Sequence, residues 1–153
     1  MKHLLIVWHS QSGNTQALKD AVLAGAQDSE IDGVTVRCLH ALEASAEDLR
    51  WAHGLLFGTP ENFGTMSGLI KDFFDRTFYA VEGELPPLPY GLFISAGNDG
   101  RGAVREIERI ARGYPFTAVA EPVIVRGPPT EAGLQTAREL GMTLAAGLSA
   151  GIF

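Results

Sequence analysis

A chain of 153 residues, 46% hydrophobic and 20% charged, has the composition of one ordinary globular domain, with room to bury roughly 70% of its unfolded surface unaided by metal or disulfide. Its net charge of −6 and twelve dispersed cations argue against nucleic acid as a partner, because phosphate backbones are gripped by clustered Lys and Arg. A lone cysteine, Cys38, excludes an internal disulfide, and no stretch approaches the ~20 apolar residues of a membrane span, so a cytoplasmic protein without membrane insertion is expected.

The first predicted element is the apolar run Leu4 to Trp8, a strand covered on both faces. Behind it comes "HSQSGNT", then a helix over Thr15 to Gln27 with Ala17, Leu18, Ala21, Val22 and Ala26 at helical spacing. Val34 to Leu39 alternates like a strand near a sheet edge, and holds Cys38 as an inert, at least half-buried thiol. Ala44 to Arg50 reads as a short helix capped by Ser45, with Asp48 placed for a capping box.

Gly54 to Thr59 is the next buried strand. The irregular loop "GTPENFGTMSG" follows, and a helix over Ser67 to Tyr79 turns Leu69, Ile70, Phe73, Phe74 and Phe78 inward, with Ser67 as a candidate cap. After the connector "ELPPLP", Tyr90 to Ala96 forms the fourth strand and runs into "SAGNDGRG". A helix over Gly102 to Arg112, a fifth strand over Val123 to Gly127 and a closing helix over Glu131 to Leu148 complete the chain. Strict β-α alternation with short connections predicts an α/β, doubly wound sandwich: five parallel strands in one domain, residues 1–153.

In such a sheet, ligands bind beyond the carboxyl ends of the strands. Three loops there carry chemistry. "HSQSGNT" offers the open amides of a helix start, the hydroxyls of Ser10, Ser12 and Thr15, and Gly13 for close approach, but no Lys or Arg. It holds an anion that is bound and not transferred, or it is a polar turn with Ser12 or Asn14 as N-cap. His9 approaches that anion or is satisfied at the strand end. In the second loop Phe63 either covers a flat ring or plugs the core. The third, with three glycines, either sets backbone amides against a ligand edge or is a plain connector.

Together these residues resemble the flavodoxin-like FMN-binding proteins over nearly the whole chain. "SQSGNT" is similar to their phosphate loop. "GTPENFGTMSG" is similar to the "GTPxxFGxMSG" loop of the NAD(P)H:quinone oxidoreductase branch, the tryptophan-repressor-binding-protein-like and NADPH-dependent FMN reductase group. The resemblance implies the strand order 2-1-3-4-5 and FMN as cofactor. It assigns Ser10, Gln11, Ser12, Gly13, Asn14 and Thr15 to the FMN phosphate. Thr59, Pro60, Glu61, Asn62, Phe63 and Gly64 would line the flavin ring, and Ser95, Ala96, Gly97, Asn98 and Gly102 its pyrimidine edge and ribityl side.

The chain departs from the quinone reductases at Asn62, where they commonly carry a basic residue, and in length, which leaves little room for their insertions. Flavodoxins proper sandwich the ring between aromatic residues of the second and third loops. Here the third loop has none, so one ring face is open to a small molecule. The expectation is an FMN-dependent oxidoreductase passing hydride from NAD(P)H to a quinone or similar small acceptor, with the chemistry on the flavin and no catalytic side chain demanded. A one-electron carrier and a non-catalytic flavin-binding regulator are the alternatives. A homodimer or higher homo-oligomer is the implied assembly. Two subsidiary roles remain open. Arg101 and Arg105 either meet dinucleotide phosphates or lie on a solvated helix face, with Arg105 pairing Glu108 or Arg109 pairing Glu106. Glu61 either contacts the flavin or faces solvent.

Overall fold

The computed structural model describes residues 1–153. In chain order the elements are β1 (Lys2–Trp8), α1 (Asn14–Ala26), β2 (Val34–His40), α2 (Ala46–Trp51), β3 (Gly54–Asn62), β4 (Thr65–Met66), α3 (Gly68–Val81), β5 (Leu88–Ala96), α4 (Arg101–Ala111), β6 (Phe116–Ala118), β7 (Val123–Arg126) and α5 (Glu131–Ser149). The parallel sheet runs β2-β1-β3-β5-β6, with β7 also on β5. That is the expected order, with the fifth position shared. β6 pairs with Leu88 to Tyr90 and β7 with Phe93 to Ala96. The break between them contains Pro122, which has no N–H to give to a ladder.

The continuous apolar strands are explained by two cores. Leu5 and Val7 of β1 face one core with Phe57, Ile70, Phe73 and Ile107, under α2, α3 and α4. Leu4 and Ile6 face the other with Leu18, Val22, Leu140 and Leu144, under α1 and α5. Alternation along the strand serves both faces. Cys38, on the edge strand β2, is half-buried, and burial pushes its thiol up to about 11. It stays a protonated, inert thiol at neutral pH.

Helices α1 and α5 touch backbone to backbone. A Cβ on Gly141 would lie 2.0 Å from the Val22 carbonyl oxygen, and one on Gly25 would lie 1.9 Å from that of Arg138. Neither obstacle is a flexible side chain, so the helices must part to admit a methyl. Gly141→Ala is therefore expected to lower stability by about 2–3 kcal/mol, read as a lower urea midpoint at unchanged slope.

Three local expectations are corrected. Helix α2 begins at Ala46, two residues after Ala44, while the expected Ser45 N-cap and Asp48 capping box are present, the Ser45 amide donating to Asp48 Oδ2 at 2.8 Å. Ser67 precedes α3, but its side chain does not cap the helix; its hydroxyl lies 2.8 Å from His9 Nδ1. Most consequential, "GTPENFGTMSG" is not irregular. β3 runs on to Asn62 and returns as β4, pairing Glu61 with Met66 and Asn62 with Thr65. Phe63 and Gly64 make the two-residue turn, at φ 52° and 76°, the left-handed pair that suits a tight hairpin.

Candidate functional site

Beyond the carboxyl ends of β1, β3, β5 and β7 lies a cleft of about 310 Å³. Gln11, Ser12 and Asn14 line it from the first loop, Pro60, Glu61 and Asn62 from the hairpin, Ser95, Ala96 and Gly97 from the end of β5, and Gly127 from the end of β7. The sequence points to nine of these ten. Gly127 escapes it, because its signal, a glycine at φ 69° whose amide donates to the Ala96 carbonyl at 2.9 Å, is geometric.

The first loop is wound around Ser10. Its Oγ accepts from the amides of Gly13 and Gln16, each at 3.1 Å. Gly13, at φ 100°, takes the N-cap position of α1, so neither Ser12 nor Asn14 caps the helix. The amides of Gln11, Ser12, Asn14 and Thr15 find no acceptor within the protein. Open amides at the positive end of a helix are an anion site. The Thr15 side chain faces inward. It is 1% exposed, its Oγ1 2.6 Å from Ser95 Oγ, and this pair forms the floor joining α1 to β5.

His9 does not supply the missing cation. Its Nδ1 is engaged by Ser67, and burial, then neighbouring His40, lowers its pKa below the ordinary value. The ring is neutral at pH 7, the reading in which it is simply satisfied at the strand end.

The hairpin is held on both sides by consecutive residues. Asn62 Nδ2 donates to Gln11 Oε1 at 2.8 Å, tying the hairpin to the first loop. Glu61, next to it and pointing the other way, accepts through Oε2 from Gly102 N at 3.0 Å and Ala103 N at 3.3 Å. The carboxylate thus caps α4 from another segment of the chain and does not face solvent as a free charge. Gly102 is shown by the same contact to be a packing glycine: a Cβ there would lie 1.8 Å from the Gly64 carbonyl oxygen.

Several of the remaining sequence candidates serve the walls. Thr59 is fully buried, its Oγ1 donating to Pro60 O at 2.8 Å and accepting from Ser67 N at 2.9 Å. Asn98 is exposed beside the cleft and does not line it. Phe63 is 107% exposed at the hairpin tip, so it is no core plug, and it borders a different hollow, between α3 and α4. No aromatic side chain lines the cleft. Arg101 and Arg105 are exposed; Arg105 lies 3.7 Å from Glu106, and neither expected pair forms.

The arrangement suits a phosphorylated, flat, hydrogen-bonding ligand. Neutral donors gather at one end, where four unpaired amides and the Ser12 hydroxyl await an anion, and polar backbone edges flank the rest. Gly13 and Gly97 have open space where a Cβ would sit, so a ligand can approach the main chain. The residues present therefore fit FMN.

Comparison with known proteins agrees. The family model for NADPH-dependent FMN reductase matches residues 35–119, more than half of the chain. A flavodoxin of Aquifex aeolicus is 35% identical over 102 residues, covering 67% of this chain and 54% of its own length. An NAD(P)H dehydrogenase (quinone) of Acidithiobacillus ferrooxidans is 30% identical over 123 residues, covering 67% of this chain and 60% of its own. The chain thus spans little more than half the length of the curated relatives it matches. Among solved structures, a flavodoxin from the domain Archaea superposes with a TM-score of 0.83 at 23% identity, covering 97% of this chain and 99% of the other. A flavodoxin, WrbA-like protein from Agrobacterium tumefaciens gives 0.77 at 19% identity, covering 99% of each. These structures share the fold, and no helix here is long and apolar enough to cross a membrane. With the sheet order, the cation-free anion loop and the matched model in agreement, the chain belongs to the NADPH-dependent FMN reductase family of flavodoxin-like FMN-binding proteins.

Proposed function

We propose that residues 1–153 form one FMN-binding domain of a cytoplasmic oxidoreductase that takes NAD(P)H, a quinone or similar small acceptor and a proton, and releases NAD(P)⁺ and the hydroquinone. The observation that carries this reading is the cleft's lack of any aromatic lining side chain, with Phe63 turned to the outside. A flat ring held there keeps a face accessible to nicotinamide and acceptor in turn.

The protein's part is binding and orientation. The amides of Gln11, Ser12, Asn14 and Thr15 and the α1 dipole hold the phosphate; Ser10 shapes their turn. Pro60, Glu61 and Asn62 set the hairpin edge against the ring; Ser95, Ala96, Gly97 and Gly127 present the opposite one. Bound FMN supplies the two-electron chemistry, and the polar donors around it stabilise charge that develops on reduction.

A second reading, a one-electron carrier, is favoured by the flavodoxin relative at 35% identity. FMN-loaded protein is expected to oxidise NADH or NADPH in proportion to added quinone. Reduction by a one-electron donor, without pyridine-nucleotide oxidation, would transfer the assignment to the carrier. Absence of flavin absorbance after incubation with FMN would remove both.

A further inference from the structure

A hollow larger than the cleft lies beside it. It is a groove of about 980 Å³ between α3, α4 and the hairpin, at the upper end of the roughly 300–1,000 Å³ typical of small-molecule sites. Phe74 and Tyr114, each 2% exposed, form the floor, with half-buried Phe78 and Ile110 beside them. Phe63 at 107% exposure and Tyr79 at 83% stand at its edges, Tyr79 edge-to-face against Phe78 with ring centroids 5.3 Å apart. Asn62 lines both this groove and the cleft, so one residue's width separates them.

The groove's charges say what it takes. Lys71 and Arg109 are balanced by Asp75 and Glu106, and Lys71 is already paired with Asp75 at 2.7 Å. A rim with no net charge gives no overall pull on the phosphates of a dinucleotide or on an acidic partner. Four charged residues among fifteen also make a poor protein–protein interface core, where charge is depleted. What remains is a neutral, apolar small molecule.

The geometry points to this groove as the binding site for the apolar tail of the electron acceptor, whose ring reaches over Asn62 into the cleft. The substrate class is then a quinone bearing an alkyl or prenyl chain. This rests on the oxidoreductase reading for the ligand's identity as acceptor.

The test uses FMN-loaded protein and two benzoquinones with the same ring, one bare and one carrying a ten-carbon tail that ends in a hydroxyl. Calorimetric affinity and the KM for NAD(P)H-driven reduction are measured for both. The tailed quinone is expected to bind at least about tenfold more tightly. Tyr79→Ser, a change at an exposed position, is expected to weaken the tailed quinone about fivefold and leave the bare one unchanged. Equal affinities in the unaltered protein would overturn the proposal, as would a Tyr79→Ser variant that keeps the preference. So would a sedimentation change from dimer to monomer in Tyr79→Ser with the preference intact, which would give the groove to a second copy. A tail preference by calorimetry without NAD(P)H oxidation would sustain the groove and sink the oxidoreductase reading instead. Turnover without a tail preference would do the reverse.

Discussion

Ser12→Asp is expected to make the flavin-free protein more stable and to weaken FMN at least a hundredfold. Ser12 is exposed, lines the cleft and lies just before α1, in a loop where the amides of Gln11, Ser12, Asn14 and Thr15 lack an acceptor. A carboxylate there meets the positive end of the helix and adds about 0.3–1 kcal/mol, read as a raised thermal midpoint. In the proposed binding mode the same charge faces the FMN phosphate. Like charges about 4 Å apart at an effective dielectric of about 20 repel by roughly 4 kcal/mol, more than the hundredfold loss of about 2.8 kcal/mol requires.

Riboflavin, which lacks the phosphate, is the internal control. Its affinity is expected to change less than about twofold, because the proposed binding mode sets the ring against other loops. Retained FMN affinity would mean that the phosphate is not held by this loop. Parallel losses of FMN and riboflavin would place the ring, and not its phosphate, at Ser12.

What the sequence discloses and what it conceals divide along sequence distance. The strands β1 and β3 are legible because burial on both faces demands unbroken apolar runs, and their loops are legible because a helix start with hydroxyls and a glycine is a local pattern. The hairpin is not. β4 is only Thr65 and Met66, too short for any alternation to show, and the turn puts Phe63 at φ 52°, where asparagine or glycine is the usual signal. β6 is hidden in the same way: three residues, Phe116 to Ala118, recruited by the edge of β5.

Side-chain commitments across the chain are the other gap. Thr15 reads as a loop hydroxyl, and nothing local reveals that Ser95, 80 residues away, engages it. Ser67 looks like a cap until His9 is found beside it. Glu61 looks like a surface charge because nothing local reveals that the start of α4, 41 residues later, is folded against it. In each case the residue type was informative and its partner was not, since tertiary packing alone decides which donor meets which acceptor.

Glu61 is for that reason the residue whose removal should spread furthest. Its carboxylate closes the only side-chain hydrogen bonds from the hairpin to α4, and Asn62 beside it closes the bond to Gln11, so two adjacent side chains tie the hairpin to the loops on either side of it. Glu61→Ala leaves the amides of Gly102 and Ala103 without their acceptor and should cost about 1–2 kcal/mol of stability, the range for losing a helix cap. It should also weaken FMN and riboflavin alike, by about tenfold, because the proposed binding mode sets the hairpin against the ring and not the phosphate. Glu61→Gln keeps an acceptor oxygen while losing the charge, so about a threefold loss for both flavins is expected. Binding is measured well below the unfolding midpoint of each variant, where a merely destabilised protein would still be folded and would bind normally. Lower stability with unchanged flavin affinity would reduce Glu61 to a cap. A loss confined to FMN would mean that the hairpin reaches the phosphate. An equal loss of both flavins, partly restored by glutamine, is the signature of a residue that sets the width of the cleft.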